Sequence, residues 1–303
     1  MNTSFLNFAR DIYAAEDILE EEPMARHTTF RVGGPADCLL QVSDAGQLAA
    51  TTHYLNETGL DYFVLGNGSN LLVSDKGYRG VILQIGPKMS EVTVDGTLVR
   101  AQAGASMAKT ARTAMEHGLT GLEFASGIPG TIGGGVIMNA GAYGGEMKQV
   151  VESVTVLAPD GNIMVLDNAS MEFGYRTSAL KNRHFVVLEA SFRLQESDRS
   201  SVQAKMEELA EQRRSKQPLE FPSAGSTFKR PEGYFAGKLI MDAGMRGYRI
   251  GGAQVSEKHC GFLINAANAS AQDIYDLIET VKERVYDVFE VKLETEVILL
   301  GEF

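Results

Sequence analysis

The sequence predicts an α+β protein made of a two-lobed domain followed by a smaller α+β unit. Three observations carry this prediction. A β-α-β pattern between Cys38 and Leu65 runs straight into a glycine loop, hairpin-like alternation dominates the stretch after it, and a charged helical stretch ending at Pro218 marks off the C-terminal part. With 303 residues, 44% of them hydrophobic, the chain can bury a sizeable core, and its length favours two or three structural units.

The first segment, Met1 to Glu22, reads as an amphipathic helix closed by Glu20, Glu21, Glu22 and Pro23. A solvated terminal helix, set apart from a fold that begins at about His27, is the simplest expectation for it. It lacks the basic start and unbroken apolar run of a signal peptide, and no stretch of the chain approaches membrane-spanning length. A strand at Cys38 to Val42 precedes a helix over 44–58, with Ser43 or Asp44 as N-cap and Gly59 past its end. The apolar strand Tyr62 to Leu65 then enters the loop Gly66-Asn67-Gly68-Ser69-Asn70.

Beyond the loop, Gly80 to Ile85 reads as a strand, and Glu91 to Val94 with Leu98 to Ala103 as a hairpin around Asp95-Gly96. Ser106 to His117 reads as a helix stopped by Gly118. A glycine-rich passage from Gly127 to Gly145 is too apolar between its glycines to be a flexible linker. A second hairpin, Val151 to Leu166, turns at Pro159-Asp160-Gly161 and is followed by the strand Phe185 to Leu194.

The charged helix over 198–216 gives the preferred boundary. Beyond it come a polar glycine loop around Ser226, a helix from Phe235 to Ala243 and a strand from Gly261 to Asn265. A long helix from Ala271 to Phe289, capped near Ser270, and a strand from Val291 to Leu300 complete the chain. The expected organisation is therefore an N-terminal helical segment over 1–26, a domain over 27–197 with lobes at about 27–100 and 101–197, and a C-terminal domain over 198–303.

Charge and cysteine usage exclude several classes. A net charge of −11 argues against a nucleic-acid binder, which needs a basic surface to displace counterions from phosphates. Cys38 and Cys260 stand far apart and outside any C-x-x-C spacing, so neither a metal site nor a disulfide framework is expected, and a reducing cytoplasm fits best.

Backbone N–H groups reach a pyrophosphate only where side chains are absent, and Gly66 to Asn70 meets that need. Taken alone it is a weak signal, for it lacks the third glycine and the helix of a Rossmann fingerprint. The passage Gly127-Ile128-Pro129-Gly130-Thr131-Ile132-Gly133-Gly134-Gly135, continued by Asn139-Ala140-Gly141-Ala142-Tyr143-Gly144, is more specific. Glycine costs entropy wherever it sits, and so many in one apolar stretch suggest a backbone moulded to a flat aromatic ligand.

The pairing of Val64-Leu65-Gly66-Asn67-Gly68-Ser69-Asn70-Leu71-Leu72 with that second loop resembles the FAD-binding domain of the vanillyl-alcohol-oxidase class. More narrowly, the chain resembles the UDP-N-acetylenolpyruvoylglucosamine reductases. Three further segments match that family: Phe173-Gly174-Tyr175-Arg176-Thr177-Ser178, Ala224-Gly225-Ser226-Thr227-Phe228-Lys229 and Leu293-Glu294-Thr295-Glu296-Val297. The likeness runs from about His27 to the C-terminus.

The resemblance implies a cytoplasmic enzyme of peptidoglycan precursor synthesis that passes hydride from NADPH through FAD to the enolpyruvyl group of UDP-N-acetylglucosamine enolpyruvate. By motif match, Arg176 faces the substrate carboxylate, Ser226 is the general acid and Glu296 is the third catalytic residue. The implied FAD contacts are Leu65, Gly66, Asn67, Gly68, Ser69, Asn70, Gly127, Ile128, Pro129, Gly130, Thr131, Gly133, Gly134, Asn139, Gly141, Ala142 and Tyr143. Tyr175, Lys229, Arg230 and Lys238 are the implied substrate contacts.

If the strand at Val291 to Leu300 is regular, Leu293, Thr295, Val297 and Leu299 share one face and Glu294, Glu296, Ile298 and Leu300 the other. The chain departs from the family pattern at Arg230, where some members carry asparagine. It also lacks the inserted tyrosine loop of one subtype, which places it in the shorter subtype. All five histidines, His27, His53, His117, His184 and His259, lie outside both glycine loops, so the FAD is expected to be non-covalent. A monomer is expected. The rival within enzymes is a flavin-dependent oxidase or dehydrogenase of a small alcohol on the same scaffold, which would not need Arg176, Ser226 and Glu296 together.

Overall fold

A computed structural model describes residues 3–181 and 183–303. Seven α-helices occur among the described residues: α1 (Thr3–Ile12), α2 (Ala45–Thr58), α3 (Met107–Glu116), α4 (Ile132–Ile137), α5 (Arg199–Lys216), α6 (Ala236–Asp242) and α7 (Ala271–Phe289). Their ends follow local chemistry. Asp44 accepts from the Gln47 N–H at the start of α2, and Gly59 closes it in the left-handed conformation. Ser270 and Asp273 form a reciprocal capping box at the start of α7.

The chain divides into two compact units. Unit 1 comprises 1–19, 38–67 and 80–213, and unit 2 comprises 20–37, 68–79 and 214–303. This differs from the expected boundaries at 26/27 and 197/198. Sequence order cannot reveal such an interleaving, because a segment joins whichever core buries its apolar face.

Unit 1 holds a five-stranded antiparallel sheet in the order Ile163–Asp167, Val151–Leu157, Val186–Arg193, Leu98–Gln102 and Val92–Asp95. The Asp95-Gly96 turn places Asp95 opposite Leu98, with Gly96 at φ 57°. Tyr62–Leu65 pairs in parallel with Tyr78–Ile85 in a second sheet, Tyr62 opposite Val81, which delivers the chain into the first glycine loop. Unit 1 has one continuous core that takes in Phe5, Leu48, Leu83, Val99, Met107, Ile132, Val136 and Phe192.

The N-terminal segment differs from expectation. Its helix ends at Ile12, and Glu20, Glu21 and Glu22 lie in the strand Ile18–Pro23. It is no solvated appendage. Phe5 and Ala9 are fully buried in the core of unit 1, and the Phe8 ring stacks on Tyr54 with centroids 4.1 Å apart. Aromatic burial of this kind outweighs the weak propensity of a ten-residue helix.

Unit 2 packs α6 and α7 with a three-stranded antiparallel sheet, Arg249–Ile250, Ala253–Val255 and Leu263–Asn265. Its core joins Phe30, Leu72, Phe228, Ile240, Leu263, Ile274, Val281 and Val297. The expected strand from Val291 is shorter than predicted: only Ile298–Leu300 forms a ladder, in parallel with Leu71–Val73. Leu293 and Val297 are buried as the alternation requires, but Leu299 is exposed beside Ile298, so the two-faced pattern breaks there.

Candidate active site

The two glycine segments meet within unit 1. A Cβ on Gly66 would stand 2.3 Å from the Thr131 hydroxyl oxygen, so only glycine lets the end of strand Tyr62–Leu65 lie against the second loop. Gly68, at φ 58°, is held against the His27 carbonyl within unit 2, where a Cβ would come within 2.0 Å. The Gly68 carbonyl accepts from the Thr29 N–H at 3.2 Å. Among the described residues, the backbone N–H groups of Asn67, Gly68, Ser69 and Asn70 donate no hydrogen bond within the chain. Successive unsatisfied amides of this kind suit an anion such as a diphosphate.

The second loop is stitched to the segment before α3. Ile132 N–H donates to Ala105, Gly133 N–H to Ala103, and Met107 N–H to Gly130. Several of its glycines serve this packing: a Cβ would meet the Ala103 Cβ at 3.1 Å from Gly133, the Met107 sulfur at 2.9 Å from Gly135 and the Phe124 ring at 2.5 Å from Gly145. Thr131 and Asn139 are buried within the loop. Gly134 is open by contrast, its nearest neighbour being the Thr131 hydroxyl at 3.7 Å.

Asn139 acts as a clamp. Its amide nitrogen donates to Glu146 Oε2 and to the Gly174 carbonyl, both at 3.0 Å, and its oxygen accepts from the Lys148 N–H at 2.9 Å. Ser178 Oγ donates to the Ile137 carbonyl at 2.9 Å. These bonds fasten the Tyr175-Arg176 turn to the glycine loop. Arg176 adopts φ 54°, donates from Nη2 to the Gly141 carbonyl at 3.2 Å and lies 5.2 Å over the Tyr175 ring. A left-handed arginine is uncommon, and here the clamp and the Gly141 bond hold it.

Ser226 and Glu296 come together in unit 2. The stretch Ser226 to Lys229 runs extended between two neighbours, Ser226 bridging to Phe262 and Phe228 to Thr295. Glu296 N–H donates to the Thr227 carbonyl at 2.8 Å, and the buried Thr227 hydroxyl accepts from Leu263 N–H at 3.2 Å. Asn70 Nδ2 donates to the Glu296 carbonyl at 3.0 Å, which fixes the glutamate from its other side. Gly225, at φ 79° with no neighbouring atom within 4 Å, supplies the turn before Ser226.

The basic residues named as substrate contacts are occupied. Lys229 pairs with Glu294 at 2.8 Å and Lys238 with Asp242 at 2.7 Å, all on the surface, and the Arg230 guanidinium lies 4.3 Å over the Phe235 ring. Lys229 holds the Glu294 carboxyl below its ordinary value. Tyr175 is 56% exposed.

Comparison with known proteins identifies the family. Residues 217–300 match the profile of the C-terminal domain of UDP-N-acetylenolpyruvoylglucosamine reductase, and 36–167 match an FAD binding domain. A UDP-N-acetylenolpyruvoylglucosamine reductase of Caldanaerobacter subterraneus is 52% identical over 93% of both chains. This chain belongs to the UDP-N-acetylenolpyruvoylglucosamine reductase family. The crystal structure of a family member from Thermus caldophilus superposes with a TM-score of 0.80 at 35% identity, covering 92% of this chain and 98% of that one. An alkyldihydroxyacetonephosphate synthase shares the fold over 65% of this chain and 41% of its own, with a TM-score of 0.51 at 13% identity. Across the reductase family fold, the feature that sequence reasoning missed is Arg213. It lies on α5 against Gly127, outside every motif, and no local signal marks it.

Proposed function

We propose that this chain catalyses the NADPH-dependent reduction of UDP-N-acetylglucosamine enolpyruvate to UDP-N-acetylmuramate, with FAD bound non-covalently. The observation that carries the proposal is the Ser226 and Glu296 pair, joined through Thr227, in a chain of this family. An alcohol oxidase on the same scaffold would give that pair no task.

The residues fit a flavin dinucleotide. The free amides from Asn67 to Asn70 suit its diphosphate, and the open Gly134 and the Gly141 to Tyr143 turn offer backbone to a flat ring. When bound, FAD supplies two-electron transfer from NADPH to the enolpyruvyl methylene carbon.

The rest is done by side chains of this chain. Arg176 presents a planar guanidinium suited to the substrate carboxylate, and its charge opposes the negative charge that builds as the enolate forms. The Ser226 hydroxyl then gives its proton to the adjacent carbon. A serine is a weak acid, but a carbanionic partner is basic enough to take that proton. Glu296 is held by backbone bonds at Thr227 and Asn70 and shares the proton delivery. Lys229, Arg230, Lys238 and Tyr175 are the proposed contacts to the UDP part; for the two lysines this requires exchanging a surface ion pair, which is worth little in water.

No described helix is long and apolar enough to cross a membrane. We place the enzyme in the cytoplasm, acting as a monomer. Anaerobic stopped-flow tests the proposal: protein bleached with NADPH and mixed with the enolpyruvyl substrate should regain its oxidised flavin band. Ser226→Ala should slow that return by about 10² to 10⁴, the usual worth of a general acid, and leave bleaching unchanged. Bleaching without return in the unaltered protein would overturn it.

A further inference from the structure

Arg213 sits near the C-terminal end of α5 and belongs to unit 1. Its Cδ and Nη1 both lie 3.2 Å from the point where a Cβ on Gly127 would stand. The guanidinium therefore rests on the first glycine of the second loop, in space that any other residue at 127 would contest. Burial lowers its pKa, and the nearby Tyr143 hydroxyl works in the opposite direction. Among the described residues no carboxylate pairs with it. A partly desolvated cation without a counter-ion is unfavourable, and an anion brought beside it would offset that cost.

The surroundings narrow the choice of anion. Gly127 and Tyr143 both lie inside the segment that matches an FAD binding domain, 36–167, whereas Arg213 lies outside it. Thr131, four residues after Gly127, is the one that abuts Gly66 and so marks the end of the loop nearest the candidate diphosphate amides. Arg213 is at the other end, beside the Gly141 to Tyr143 turn whose Gly141 carbonyl takes the Arg176 guanidinium. Arg213 thus lies by Gly127 and Tyr143, on the side of the loop where the proposed function puts the flat ring.

We propose that Arg213 is the counter-ion for the negative charge that the flavin ring gains on reduction, and so sets the reduction potential of the bound cofactor. This rests on the proposed function. Hydride from NADPH brings two electrons and one proton and leaves NADP⁺ behind, so the ring gains one negative charge unless a second proton follows. A fixed guanidinium beside it favours the reduced state over the oxidised one.

The test is the midpoint potential of bound FAD in the purified holoprotein, measured against a reference dye, with FAD affinity measured separately by fluorescence. Arg213→Met keeps the apolar stem and removes the charge. It should lower the preference for reduced over oxidised FAD by tenfold or more, a shift of about 30 mV or more for a two-electron couple. Arg213→Lys should restore most of it. Gly127→Ala, which pushes on the guanidinium from below, should shift the potential in the same direction as Arg213→Met if that variant does not fold. An unchanged potential overturns the inference. So does equal weakening of both redox states, which would make Arg213 a diphosphate ligand, or a rise in substrate KM alone. Unaltered protein that binds no flavin would instead refute the proposed function.

Discussion

Asn70 is bonded to Glu296 and, two residues on, to Ile298. The Asn70 side chain donates to the Glu296 carbonyl at 3.0 Å, and the Asn70 carbonyl accepts from the Ile298 N–H, also at 3.0 Å. The last residue of the first glycine loop therefore positions the backbone of the proposed third catalytic residue, 226 positions away in sequence. Asn70→Ala should cost about 1 kcal/mol of stability, the usual net worth of one hydrogen bond. It should also slow flavin reoxidation by substrate about tenfold, the rate equivalent of ~1.4 kcal/mol, while FAD content holds. Thermal unfolding and stopped-flow on the same preparation check both.

The contact between Gly66 and Thr131 makes a second prediction. Gly66→Ala places a Cβ 2.3 Å from the Thr131 hydroxyl and should destabilise unit 1 by about 1 to 3 kcal/mol, the range for overpacking a closed site. FAD affinity should fall with it. Adding Thr131→Ala removes that hydroxyl and should recover part of the loss, so a double-mutant cycle in urea should show coupling above about 0.5 kcal/mol.

His259 gives a pH dependence. Burial holds its pKa below the ordinary 6.5, and its Nδ1 accepts from the Gly261 N–H at 3.1 Å, which requires a neutral ring. The Gly261 carbonyl in turn accepts from Thr227 N–H, next to Ser226. Below pH 6.5 the unfolded chain takes up a proton that the folded one resists, so stability should fall as the pH is lowered through 6.5 and level off below the folded value. Melting temperatures between pH 8 and 5 should show this decline, and His259→Asn should flatten it.

Phe5 tests the N-terminal helix. A detachable helix would tolerate Phe5→Ala, whereas full burial against the core of unit 1 implies a cost of about 3 to 5 kcal/mol in denaturant unfolding.

Much of the molecule was legible because its causes are local. Asp44 and Gly59 bound α2, Ser270 and Asp273 open α7, and Asp95-Gly96 turns a hairpin, each through groups a few residues apart. The two glycine segments and the runs around Arg176, Ser226 and Glu296 were legible only together, as short motifs in an order that resembles one family; no single run states its chemistry alone. Tertiary structure decided what depended on distant partners. Phe5 and Phe8 found a core, Glu20 to Glu22 were drawn into a strand, and the stretch from Val291 lost its regular alternation where it pairs with Thr227 and Asn70. Only the folded chain sorts the glycines that pack, Gly133, Gly135 and Gly145, from the open Gly134, and only there does Arg213 come to rest on Gly127. Hydrogen-bond caps and turns are written within a few residues, whereas burial and charge pairing belong to neighbours that sequence spacing does not reveal.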